Sequence, residues 1–136
     1  MFQPTVAPFL NVVTSAGPTV ASPGLPPTLI LGTGVPFSVS LSATVTGLLT
    51  NLVTGSNWTF TVAAESIGPG FEGILGSAVI VAAPGNPKVL SATVNCAPIA
   101  QPGTYMLTVA VTSTTAGIPN GIAGFETVMI QVANGV

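Results

Sequence analysis

No histidine, aspartate or arginine occurs anywhere in the 136 residues, and lysine occurs once, at Lys88. Ser-His-Asp and Cys-His nucleophile systems therefore cannot be assembled within one copy, because no neutral-pH base is available beside a nucleophile. A single lysine cannot neutralise a row of phosphates, which argues against nucleic-acid binding. The remaining charges are Glu65, Glu72 and Glu126. A glycosidase-like carboxylate pair could be drawn only from these, most readily from Glu65 and Glu72 across the segment SIGPGF. The plainer reading is three isolated solubilising carboxylates. Without aspartate or an Asn-rich loop they make a poor calcium site, and no cofactor is expected. The glycines of GTGVPF at 32–37 are followed by proline and a strand pattern, not by a helix, so they do not form a phosphate loop.

Cysteine is nearly absent as well. Cys96 stands alone, which excludes an intramolecular disulfide and a Cys-based metal cluster. Its context, ATVNCAP, places it at the end of an alternating strand, where it reads as a small buried hydrophobe; an intermolecular disulfide or a reactive thiol is the alternative. Long apolar runs are also missing. The hydrophobic fraction is 48% and mean hydropathy +0.79, yet Thr, Gly and Pro interrupt every stretch before it reaches the ~18 to 20 residues of a spanning helix. The eight aromatic residues form no pair of interfacial girdles, so a transmembrane barrel fits poorly too. The N-terminus shows no basic region followed by an apolar core, as a secretory signal would; such a signal has been removed, export takes another route, or there is none.

Charged residues make up 3% of the chain, against about a quarter in an ordinary soluble domain. The net charge of -2 provides little repulsion between copies, so association is the default expectation. Polar surface must come from Thr, Ser, Asn and Gln.

The chain is rich in period-two alternation. In FSVSLSATVT, residues 37–46, Phe37, Val39, Leu41, Ala43 and Val45 share one side, and Ser and Thr fill the other. The same period marks NWTFTVAAE from Asn57, with Trp58, Phe60 and Val62 on one face, and KVLSATVNC, with Leu90, Ala92, Val94 and Cys96. It recurs in GTYMLTVAVTS, with Tyr105, Leu107, Val109 and Val111, and in FETVMIQV, with Val128, Ile130 and Val132. TLILG at 28–32 and GILGSAVIVAA at 73–83 complete about seven strands. Turn signals separate them, among them Gly55-Ser56, Gly68-Pro69-Gly70, Pro84 to Pro87, Gln101-Pro102-Gly103 and Asn120-Gly121. Helix signals are confined to one short turn within 48–53. Seven short antiparallel strands predict an all-β, two-sheet sandwich over residues 28–136, with Trp58, Leu41, Val109 and Ile130 in its core.

The stretch QPGTYMLTVAVTS, with Tyr105 just after a Pro-Gly turn, resembles the penultimate strand of bacterial immunoglobulin-like domains, and FETVMIQVA resembles their final strand. The resemblance spans roughly residues 28–133, lacks the two sheet cysteines of antibody domains, and implies an immunoglobulin-like sandwich without implying a function.

Residues 1–27 read as an appendage: a strand over 4–14 and a Pro/Gly/Ser-rich tether over 15–27. Val6, Leu10 and Val12 fall on one face of that strand, Phe9 and Val13 on the other. A sandwich has open edges, so this arm is expected to add itself to a neighbouring copy and build a head-to-tail polymer. The function expected is thus a non-catalytic, self-assembling structural subunit of an extracellular filament, pilus-like fibre or surface layer, with identical subunits as partners. Two alternatives remain at this point. One is an adhesin or carbohydrate-binding module, with Phe71 as the evident ligand contact and a glycan as partner; the other is a structural or accessory protein of a phage or virus particle. Asn57-Trp58-Thr59 fits the N-glycosylation acceptor pattern, although a buried Trp58 would oppose modification of Asn57.

Overall fold

The computed structural model describes residues 2–3, 10–14 and 17–135. These form ten strands: β1 (Phe2–Gln3), β2 (Asn11–Thr14), β3 (Thr19–Ala21), β4 (Ile30–Gly32), β5 (Phe37–Thr46), β6 (Asn57–Ser66), β7 (Gly73–Val81), β8 (Lys88–Cys96), β9 (Gly103–Thr115) and β10 (Ile118–Ala133). A 3₁₀ turn, Thr50–Val53, is the sole helical element among the described residues. The larger sheet runs β1-β10-β9-β6-β7, with β4 also on β10; in the smaller, β5 pairs with β8 on one side and with β2 and β3 on the other. No helix among the described residues is long and apolar enough to cross a membrane.

Alternation places one core between the sheets. Every second residue of β5, β6, β8 and β9 is buried, with Trp58, Phe60 and Tyr105 fully enclosed and Leu41, Val109 and Ile130 beside them. The seven strands expected from periodicity are all present. Three more, β1 to β3, come from the segment read as an appendage, and β4 joins β10 in parallel, so the sandwich is not purely antiparallel. Three residues of β4 give periodicity too little to work on.

The separate arm and tether are corrected by the pairing. Asn11 to Thr14 lie antiparallel to Thr46 to Ala43 of β5, and Thr19 to Ala21 to Ser40 to Ser38, all within the same chain. Val12 and Val20 are buried and Leu10 packs on the core, while Val13 faces outward. Backbone groups along one edge of β5 need partners, and the two short strands supply them in turn. Val6 and Phe9 lie outside the described residues. Thr14 also ties the sheets together: its hydroxyl donates to Glu126 Oε1 at 2.7 Å and holds that carboxyl below its ordinary range, against the opposing effect of desolvation.

Asn120-Gly121 is a second correction. The β9–β10 hairpin turns at Ala116-Gly117, with φ of 53° and 78°, whereas residues between Pro119 and Ala123 form a bulge inside β10. There Asn120 donates from Nδ2 to Ser113 Oγ at 2.9 Å and accepts from the Ile122 amide at 3.2 Å. Both uses of Gly exploit positive φ, so composition alone does not separate bulge from turn. Ala116 is poorly suited to its left-handed conformation. Ala116→Asn is therefore expected to stabilise the protein by about 0.5 to 1 kcal/mol in chemical denaturation; a loss of stability would show that the turn does not have this form.

Candidate functional site

The three glutamates and the one lysine are dispersed by the fold in a way that bears on chemistry. Glu65 sits on the outer face of β6 and Glu126 on the core-facing phase of β10, two strands away. Two strand spacings and three residues separate them by roughly 14 Å, beyond the ~5 to 9.5 Å span of glycosidase carboxylate pairs. The β6–β7 register, Ala64 opposite Gly73, brings Glu65 and Glu72 to the mouth of one hairpin, both exposed. No group of three metal-ligating side chains occurs among the described residues. A shallow open groove of about 300 Å³ is lined by Pro18, Thr19, Val20, Pro27, Thr28 and Leu29, none of which carries charge.

Lys88 is not at the surface. It is buried, and its ammonium donates to Thr54 Oγ1 and to the Ala83 carbonyl, each at 2.7 Å. The strand phase, shared with Leu90 and Ala92, carried that information in the sequence. Since Lys88 is the chain's one Lys or Arg, trypsin should leave the folded protein intact and cut the heat-unfolded chain into fragments 1–88 and 89–136. Rapid cleavage of folded protein would mean that the β7–β8 loop opens locally.

Cys96 is buried as expected, and desolvation pushes its thiol up to about 11. Because the thiolate is the reactive form, Cys96 should resist alkylation at pH 8 until the protein unfolds, and boiled, non-reduced samples should migrate as monomer. The raised folded value also fixes a sign: its stabilising effect is complete below the unfolded thiol's ~8.5 and declines as pH rises towards 11. Asn57 is exposed at the start of β6, next to the buried Trp58. Phe71 is 41% exposed, its ring lying against Gly73.

The two outer faces differ in chemistry. On the smaller sheet, β5 and β8 present a ladder of hydroxyls that bond one another, Ser40 with Thr93 at 3.0 Å and Ser42 with Ser91 at 2.7 Å. On the larger sheet the registered row Ser77, Thr61, Ala110, Phe125 crosses four strands, and Ile74, Ala63, Thr108, Thr127 runs parallel to it. Small residues thus occupy the two central strands in these rows, while the row beyond them brings Glu65 and Met106 beside Met129. Larger ones stand at the margins: Ile74, Val79 and Val81 on β7, Phe125 and Met129 on β10, each about half exposed or more. The outward phase of the same alternation that marked the core encodes this face; its threonines and alanines read as generic strand surface until the register aligned them.

No protein-family model and no curated protein matches the chain. Among solved structures it is similar to the C-terminal domain of wzt, with TM-score 0.52, 10% identity, and coverage of 98% of this chain and 84% of that one. It is similar to the same extent, TM-score 0.52 at 9% identity, to a β-glucosidase from Listeria innocua in complex with glucose; 92% of this chain corresponds to 16% of that enzyme. The chain therefore spans a small part of the β-glucosidase. These likenesses establish the all-β sandwich fold.

Proposed function

We propose that the protein is a non-catalytic, self-assembling structural subunit of an extracellular filament or surface layer, made of copies of this chain. The observation that carries the reading is the surface. With Lys88 withdrawn into the interior, charge is reduced to three glutamates, while large apolar side chains such as Leu48, Leu52, Ile74, Val81 and Ile118 are more than 60% exposed. Such a surface is costly to keep in water and offers copies little mutual repulsion. An extracellular setting accords with a single, buried tryptic site. Assembly by donation of the N-terminal strand is set aside, since residues 11–14 already complete their own sandwich.

Within this reading the sandwich is taken as immunoglobulin-like. Support comes from the pairing of β5 with β8 in one sheet and of β6 with β9 in the other, and from Tyr105, whose hydroxyl donates to the Gln101 carbonyl four residues upstream at 2.9 Å. That bond has the form of the tyrosine corner of such domains. Light scattering tests the assembly. Apolar association should persist in 1 M sodium chloride and strengthen in ammonium sulfate; a particle mass that stays monomeric in both would refute it.

A further inference from the structure

We infer that the outer face of β7-β6-β9-β10 is the surface on which a second copy of this chain docks, with the β10 margin of each copy seated over the small-residue centre of the other. The inference rests on the self-assembly reading and names one of the contacts it uses. Its first support is shape. Thr61, Ala63, Thr108 and Ala110 form a low centre between the margins carrying Ile74 and Val79 on one side and Phe125 and Met129 on the other. A two-fold arrangement lets one margin fill the other copy's trough and receive the same in return, the self-complementarity that an isologous contact requires.

Charge is the second support. The face carries one charged side chain, Glu65, placed beside Met106 towards one end, so two copies can meet without burying like charges. A strongly charged partner would find nothing there to pair with, whereas an identical neutral face is compatible. Area is the third. Four strands at ~4.8 Å and six residues at ~3.4 Å cover roughly 400 Å² per copy, about 800 Å² for the pair. That is at the small end of protein contacts, and because an isologous contact closes on two copies, a filament or layer needs a second contact beside it. The opposite face gives the contrast, because its hydroxyls already bond one another.

Sedimentation velocity across a concentration series tests this on the full chain. Ala110→Arg places a charge in the trough and Met129→Lys places one on the margin; Ser91→Arg does the same on the opposite face. Circular dichroism selects folded variants, and Met129→Lys, at a half-exposed margin, serves if Ala110→Arg does not fold. The expected result is that either face variant shifts the association midpoint at least about tenfold to higher concentration, while Ser91→Arg leaves it within about twofold. Wild-type association unaffected by both face variants would overturn the inference and leave self-assembly through another surface standing. A wild-type protein that stays monomeric throughout would overturn the assembly reading itself. A monomer whose Thr61 and Thr108 resonances shift on adding cello-oligosaccharide would assign the trough to a glycan and also overturn the inference.

Discussion

Trp58→Ala is expected to lower the unfolding free energy by about 3 to 5 kcal/mol, the range for deleting a large buried aromatic. Trp58 is fully buried as the second residue of β6, flanked in register by Ile80 of β7 and Ser113 of β9. Its indole N–H donates to Ser56 Oγ at 2.9 Å, and the same hydroxyl donates to the Val53 carbonyl, so Trp58 also fixes the turn that enters β6. Truncation opens a cavity and removes that donor at once. Trp58→Phe separates the two effects: it keeps most of the apolar volume and should cost about 1 to 3 kcal/mol, mainly the lost hydrogen bond and a smaller void. Urea unfolding of both variants provides the check. A loss below about 1 kcal/mol for the alanine variant would mean that the site is not close-packed.

Gly76 should be almost as intolerant, for a reason that lies in the backbone. Its α-carbon approaches β8 so closely that an added β-carbon would overlap the carbonyl oxygen of Asn95 and lie 3.2 Å from Val94 Cγ1. Gly76 is not among the positive-φ residues, so an ordinary side chain suffers no conformational penalty there, and a strand interior would even favour alanine by roughly 0.5 to 1 kcal/mol. Overlap with backbone outweighs that gain, because Asn95 cannot rotate away as a side chain would. Gly76→Ala is expected to cost about 2 to 3 kcal/mol, and Gly76→Val more. The contact matters because β7 and β8 are the facing edges of the two sheets, linked where the Ala97 amide donates to the Leu75 carbonyl at 3.0 Å. An unchanged or raised midpoint for Gly76→Ala would show that this side of the sandwich is open.

Much of this architecture was legible because alternation is a direct consequence of one buried face. Phe37 to Val45, Leu90 to Cys96 and Tyr105 to Val111 point inward as their period requires. Where the reading failed, the local signal was too short or had two meanings. Asn11–Thr14 falls in the strand read over 4–14 but pairs within its own chain, and Thr19–Ala21, three residues long among Pro and Gly, suggested a tether; the unpaired edge of β5 explains both pairings. Asn120-Gly121 offered positive φ, which a bulge uses as well as a turn. Ala116 offered no turn signal at all. The burial of Lys88 was readable by strand phase, although lysines are rarely buried unless paired; Thr54 and the Ala83 carbonyl are brought to it by loops that alternation does not describe. The outward face followed the same logic: its residues were visible, and their alignment into a low centre with raised margins came from the register of four strands.

Negative-stain electron microscopy of the purified protein, at increasing concentration in ammonium sulfate, tests the central claim most directly. The account predicts ordered filaments or layers with one repeating sandwich-sized unit, appearing above a threshold concentration and absent in the Ala110→Arg variant. Dispersed single particles of the wild-type protein at every concentration would contradict it.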